Sequence, residues 1–361
     1  MNRNSIYSIF NIFFCVALLL ALSNTESKAQ DAHFSQFYSA PLLLNPALAG
    51  TMDGTFRIAT VYRDQWRSAL EQPLRTYSFS GDTKFKLGQP AASQQDIVGV
   101  GMTIYADRAG LFNLNTTTVT LTGAYHKAMS RKTKSYLSLG FQAGISQRSV
   151  GYADLTFGDQ FNAIDGYTLN TLERLPPNNY GVADFSIGLL YTAKPSKEMS
   201  YEIGGGFFHF NQPNISFYKS DDDVNPDLIK ENALDAKISL HASMSYNSSD
   251  AIRWNPRVMY LQQGQHNEIN TGLGMRFQPN AGKAQAIHFG PWLRGTNNDD
   301  GFGIESIILT AGFEVDNWIF GFSYDQNLSD LAGTRQGLNA FEVSVIYIGE
   351  HDNNIGWCPT F

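Results

Sequence analysis

The sequence predicts an all-β fold: a transmembrane antiparallel β-barrel of about 14 strands with an N-terminal plug-like or docking segment. Three observations lead there. The first is a two-residue rhythm. Leu137, Leu139, Phe141, Ala143 and Ile145 alternate with Ser138, Gly140, Gln142 and Gly144, and Ile269, Thr271, Leu273, Met275 and Phe277 alternate with Asn270, Gly272, Gly274 and Arg276. Successive side chains of a strand point to opposite faces, so each segment has one apolar and one polar, Gly-rich face. Segments of about ten residues with this pattern mark a membrane barrel. The second is composition. Only 16% of residues are charged, against about 25% in soluble domains, while 32 Gly suit a crowded interior and 17 Tyr and 25 Phe suit aromatic girdles. The third is an alternation of long and short connections between the segments.

Residues 1–29 read as a secretory signal peptide. Arg3 gives the positive start, residues 12–22 are apolar, and Ser27-Lys28-Ala29 is a small-x-small cleavage site. The apolar run is too short to cross a bilayer as a helix. No other helical span is present, which argues against the inner membrane. Cys15 lies inside the run without the flanking small residues of a lipoprotein site. The expected location is the Gram-negative outer membrane, as an integral protein after cleavage.

Residues 30–54 form the second element. The stretch is apolar and aromatic, is broken by Pro41 and Pro46, and has no room to span a membrane. Left in water it would be an exposed hydrophobic surface, and such surfaces need cover. Two readings stand open for His33, Phe34, Ser35, Gln36, Phe37, Tyr38, Asn45, Pro46 and Ala47: a plug in the barrel, or a docking surface for another protein.

The barrel covers residues 55–348. Strands are expected near 55–63, 75–85, 97–105, 114–126, 135–147, 181–191, 200–210, 233–247, 254–262, 267–277, 284–294, 303–313, 317–326 and 338–348. An even number puts both ends of the barrel on the periplasmic side. The odd connections then face outward and include the long 148–180, 211–232, 295–302 and 327–336. The even ones are mostly short, and two are basic, with Lys127, Arg131, Lys132 and Lys134 in one and Lys194 and Lys197 in the other.

The polar face carries Arg57, Asp184, Glu202, Asp235, Lys237, Arg257, Glu268, Arg276, Arg294, Asp325 and Glu342. Mixed charge points to internal ion pairs or a hydrogen-bonded plug rather than an ion-selective pore. A net charge of −7 with no basic stripe argues against nucleic acid.

Chemistry is sparse. The seven His show no metal-ligand spacing, and His209, His241 and His288 sit at alternating positions that suit a lumenal role. Asp221-Asp222-Asp223-Val224-Asn225-Pro226-Asp227 has carboxylates for calcium but lacks the glycine and distal glutamate of a helix–loop–helix site, so it reads as a solvated outer loop. No hydrolase or phosphate-binding motif is present. No catalytic residue, cofactor or metal is expected. Residues 349–361 form a periplasmic C-terminal tail. After cleavage Cys358 is the remaining cysteine, so an internal disulfide is impossible. It is an inert thiol or a contact to a partner.

Several fragments carry a family resemblance. Asp31-Ala32-His33-Phe34-Ser35-Gln36-Phe37-Tyr38, then Leu44-Asn45-Pro46-Ala47-Leu48-Ala49-Gly50-Thr51, resemble the start of the PorP/SprF family of type IX secretion proteins of Bacteroidota. Tyr62-Arg63-Asp64-Gln65-Trp66, Thr76-Tyr77-Ser78, Phe157-Gly158-Asp159-Gln160 and Ser323-Tyr324-Asp325 also look like family positions, and the tail Trp357-Cys358-Pro359-Thr360-Phe361 resembles the family's closing Cys-Pro-x-Phe. The resemblance implies an outer-membrane component of type IX secretion and gliding machinery. It implies as partners a secreted adhesin or cargo C-terminal domain, periplasmic ring or lipoprotein components of the machine, and outer-membrane lipid. The N-terminal block, the basic turns and the tail residues Trp357, Cys358, Pro359 and Phe361 are expected to meet the periplasmic components. Loops 148–180 and 211–232 are expected to hold the adhesin. The competing reading is a FadL-like transporter of hydrophobic small molecules, whose plug also contains Asn-Pro-Ala. A fatty-acid path should be apolar, whereas the lumenal parity here is polar.

Overall fold

The structure, a computed structural model, describes residues 31, 33–68, 70–88, 94–110, 113–152, 155–172, 175–217, 232–279, 285–298, 301–328 and 338–350. Fourteen strands close into one antiparallel barrel in sequence order. They are β1 (Phe56–Gln65), β2 (Leu74–Leu87), β3 (Asp96–Ala109), β4 (Leu114–Ser130), β5 (Ser135–Ser149), β6 (Asn179–Ala193), β7 (Met199–Phe208), β8 (Lys237–Asn247), β9 (Ile252–Gln263), β10 (His266–Phe277), β11 (Gln285–Asn298), β12 (Gly301–Val315), β13 (Trp318–Asn327) and β14 (Ala340–Gly349). β14 pairs back onto β1, with Gly349 opposite Phe56 and Ala340 opposite Gln65. Closure leaves no strand edge exposed to lipid. Among the described residues no helix is long and apolar enough to cross a membrane.

Every expected strand has a counterpart. Their two faces separate as the alternation requires. Leu121 and Ile145 are each 66% exposed toward lipid, whereas Thr122, Ser138 and Gln142 are buried in the lumen. One connection differs. The expected outer loop at 295–302 is mostly ladder, because β11 and β12 keep pairing up to Asn298 opposite Gly301, across a register shift at Arg294/Gly295. The shift absorbs one residue and lets the hairpin extend past the alternating segment. The 221–227 stretch, the signal segment and the tail with Trp357, Cys358, Pro359 and Phe361 lie outside the described residues.

Residues 31–54 run through the lumen from one mouth to the other. The expectation that they have no room to span is corrected: the barrel wall supplies a protein-lined path, so no helix is needed. At the long-loop, outer end, the Asp31 N–H donates to Gln263 Oε1 at 2.8 Å, and its carboxylate meets Lys237 at 2.8 Å and His209 at 2.7 Å. At the short-turn end, Thr55 N–H donates to Gly349 at 2.8 Å. Between them lie a 3-10 turn at Phe37–Ser39, one helical turn at Pro41–Leu44 and a second 3-10 turn at Pro46–Leu48. Pro41 and Pro46 open their turns, where a missing N–H leaves no ladder bond unmade.

Candidate functional site

The site is the filled lumen, and small residues make room for it. Gly99 pairs with Ala124, Ala124 with Gly140, Gly140 with Gly188, and Gly188 with Gly206. This row crosses the inner face from β3 to β7, and residues 45–50 rest on it. A Cβ added at Gly140 would lie 2.3 Å from Ala47 N, and one at Gly99 would lie 2.1 Å from the Ala49 carbonyl oxygen. Glycine is required here by close approach of backbone to backbone.

Asn45 fastens the segment to this belt. Its Nδ2 donates to the Leu189 carbonyl at 2.9 Å and to His241 Nε2 at 3.2 Å, while its Oδ1 accepts from Ala47 N at 2.9 Å. Further down, His126 Nε2 donates to the Ala49 carbonyl at 2.7 Å, and Gly50 N–H donates to Asp82, which Arg57 holds at 2.8 Å.

Toward the outer end the segment enters an ionic cluster. Glu342 accepts from Ser35 N at 2.5 Å and from Gln36 N at 2.9 Å. Ser35 Oγ donates to Asp325 at 2.5 Å and accepts from Arg63 at 2.6 Å and Arg294 at 2.9 Å. Arg63 also bonds Asp325 at 3.1 Å and Glu342, and Arg294 bonds Asp325 and Glu305, each at 2.8 Å. Gln36 donates to Ser323 Oγ at 3.3 Å and accepts from Ser344 Oγ at 2.8 Å. Fragments far apart in sequence, namely Ser35-Gln36, Arg63 and Ser323 with Asp325, thus form one buried network. Buried charges are tolerable when paired and hydrogen-bonded in this way.

An apolar seam completes the lumen. Phe37, Leu44, Ala47 and Leu48 of the segment pack on Leu190, Met259, Leu261, Trp292 and Ile308 of the wall. Phe37 and Tyr38 flank Trp292 with ring centroids 5.8 and 5.4 Å away, and Arg257 lies 4.3 Å over the Tyr38 ring. Phe34 packs on Ala40 and Val61. Each such side chain contributes about 1.5–3 kcal/mol. The sequence reading made the lumen polar and missed this wall. A signal existed in doubled apolar positions, such as Leu189-Leu190 and Ile307-Ile308, where one member faces lipid and the other faces inward.

Two imidazoles outside the strands have opposite electrostatics. Burial, which dominates, and the nearby Arg294 and Arg63 hold His33 down to about 4 despite Glu268. At neutral pH the 3.1 Å contact of His33 with Glu268 therefore joins a neutral ring to a carboxylate. Burial also opposes charge on His209, but Asp31 and Asp184 outweigh it and raise it to about 9.

The predicted residues His33, Phe34, Ser35, Gln36, Phe37, Tyr38, Asn45, Pro46 and Ala47 therefore all lie inside the barrel. Gln36, Asn45 and Ala47 are fully or almost fully buried. A family model described as type IX secretion system membrane protein PorP/SprF matches residues 26–347. The chain belongs to the PorP/SprF family. It is an outer-membrane β-barrel of the type IX secretion system. No curated protein matches it. Among solved structures, the monoaromatic hydrocarbon channel CymD is similar with a TM-score of 0.50 at 12% identity, over 89% of this chain and 95% of that one. The Ralstonia pickettii toluene transporter TbuX gives 0.47 at 10% identity over 87% and 94%. A Pseudomonas aeruginosa FadL homologue gives 0.46 at 10% identity over 84% and 92%. At such identities the likeness to CymD concerns the barrel alone, since one fold hosts many functions.

Proposed function

We propose that this PorP/SprF barrel holds the C-terminal domain of a secreted adhesin at its outer face and meets periplasmic ring or lipoprotein components at its inner face, without enzymatic chemistry of its own. The observation that carries this reading is the lumen filled from Asp31 to Gly54. A barrel so occupied offers partners its two ends.

The outer end has an apolar face. In the connection between β5 and β6, Ile164 is 86% and Leu172 is 89% exposed, beside the exposed Phe161, Tyr167 and Leu169. Residues 159–172 are tied together: Phe161 bridges Tyr167, and Asp159 accepts from Leu172 N at 2.5 Å. Exposed apolar groups of this size mark protein contacts. The inner mouth is a vestibule of about 610 Å³ whose lining includes Lys84, Lys86, Lys134, Lys194, Lys197 and Arg253 against Asp53, Glu198 and Glu202. Its charge suits an acidic partner surface. One expectation changes. His33 through Tyr38 are packed in the outer half of the lumen, so periplasmic contact falls to the basic turns rather than to that block.

Replacing Ile164 and Leu172 together by Ser should release adhesin into the medium while leaving barrel abundance unchanged. Full retention would refute the outer half. Lys134→Glu with Lys194→Glu and Lys197→Glu should abolish co-purification of periplasmic components, and unchanged recovery would refute the inner half. A transporter reading keeps one observation in its favour, a cavity of about 290 Å³ between Phe34, Phe37, Leu43 and Leu44 on one side and Thr103, Thr118 and Thr120 on the other. Uptake of a hydrophobic tracer by vesicles carrying the barrel, above barrel-free vesicles, would favour it.

A further inference from the structure

The start of the lumenal segment meets the β9–β10 hairpin at the outer mouth. Three potential ligand atoms converge there, from His33, His266 and Glu268, all within 4.8 Å of one another. Glu268 is 0% exposed, and neither its carboxylate oxygens nor Nε2 of His266 makes a well-aligned hydrogen bond. Imidazole faces the carboxylate from two sides, with Nε2 of His33 at 3.1 Å and Nε2 of His266 at 3.8 Å from one oxygen. A carboxylate this deep, whose near neighbours are imidazoles without aligned hydrogen bonds, is well placed to take a cation.

We propose that His33, His266 and Glu268 bind a divalent transition metal, zinc by preference, which clips the lumenal segment to the barrel wall. The donor set is right for it: two imidazole nitrogens and one carboxylate oxygen suit zinc, whereas calcium and magnesium take oxygen shells. Bonds of about 2.0–2.2 Å in a tetrahedron place ligand atoms about 3.3–3.6 Å apart. The contacts of 3.1 and 3.8 Å bracket that spacing. Charge agrees as well. In the adjoining network Glu268, Glu305, Asp325 and Glu342 face Arg63 and Arg294, which leaves a formal excess of two negative charges. A divalent ion neutralises that excess. Access is open, because both imidazoles line an outer cavity of about 270 Å³ that also borders Thr296 and Glu305. A water there can complete the shell.

The ligands escape a spacing search because His33 belongs to the lumenal segment and the other two to β10. The ring planes of His33 and His266 lie 17° apart with centroids 6.1 Å apart, brought together by the anchoring of Asp31 N to Gln263 on the same hairpin.

The test uses the full-length barrel with a tag free of histidine, purified in detergent, stripped with chelator and titrated with Zn²⁺ alone. The expected result is about one zinc per chain retained through gel filtration, with an X-ray absorption spectrum showing two imidazoles. His33→Ala and Glu268→Gln should each weaken retention by about tenfold or more. His33 lies on the segment, not the wall, so its variant keeps the test open if Glu268→Gln does not assemble. Zinc content equal in wild type and His33→Ala/His266→Ala, or a spectrum without imidazole, overturns the proposal.

Discussion

The glycine row under residues 45–50 permits a sharp test of whether the segment is held by fit. In Gly140→Ala the new methyl would lie 2.3 Å from Ala47 N, 2.4 Å from the Pro46 carbonyl carbon and 2.6 Å from Ala47 Cα. Ordinary contact begins near 3.4 Å, so the segment must lift by about 1 Å. All three atoms are backbone, and no rotamer relieves the clash. Overpacking costs about 1–3 kcal/mol. Lifting also breaks the bonds of Asn45 to Leu189 and His241, worth about 1 kcal/mol each. The total, about 3–5 kcal/mol, favours release, and every 1.4 kcal/mol is tenfold in an equilibrium. Hydrogen exchange of the Ala47, Leu48 and Ala49 amides should therefore accelerate about 100-fold or more. The control is Gly123→Ala, whose methyl meets nothing within 4 Å. Protection of these amides in Gly140→Ala equal to that in the control would refute the argument.

Three other outcomes follow from the same geometry. Arg63→Met leaves Glu342 without its guanidinium partner, while Asp325 keeps Arg294, and should lower stability by about 3–5 kcal/mol, read as urea denaturation in lipid vesicles; a loss below 1 kcal/mol contradicts the network. Leu121→Arg puts a cation on the lipid face and should cost about 2–4 kcal/mol near the midplane; equal folding yields for the variant and wild type would move that face away from lipid. His209, raised to about 9 from 6.5 beside Asp31 and Asp184, with Lys237 opposing, gives stability that is complete below the unfolded value and lost as pH rises through the folded one. The denaturation midpoint of the wild type should therefore drop across that window relative to His209→Gln, and parallel pH curves would exclude the role.

The wall was legible because period-2 alternation reports two solvents, lipid outside and a polar interior, at every strand. All fourteen strands were recoverable from it. The lumen was legible in part. Arg294, Asp325, Glu342 and Glu268 fell on the inferred inner face, but their partners could not be named, because Ser35 lies 290 residues from Asp325 and 307 from Glu342. Alternation carries no information about register across such distances. It also gave no reason to expect apolar residues such as Trp292 and Ile308 on the inner face, where the segment presents Phe37 and Leu44 to them. The direction in which residues 31–54 run was invisible too, since apolar composition demands cover but does not say at which mouth the segment begins.

The segment binds both strands of the closing seam. Ser35 and Gln36 hold Glu342 on β14, and Ser35 holds Arg63 on β1, the strand that pairs with β14. The segment's rings and its bonds to buried charges fill the space inside these strands. The segment is shaped as a mandrel to the wall, touching both strands that close it. The partners of Ser35 and Gln36 thus lie on a strand some 300 residues further along the chain. Wherever the barrel is not closed, Phe34, Phe37 and Leu42 lose the cover that buries them and become apolar surface for a chaperone to hold.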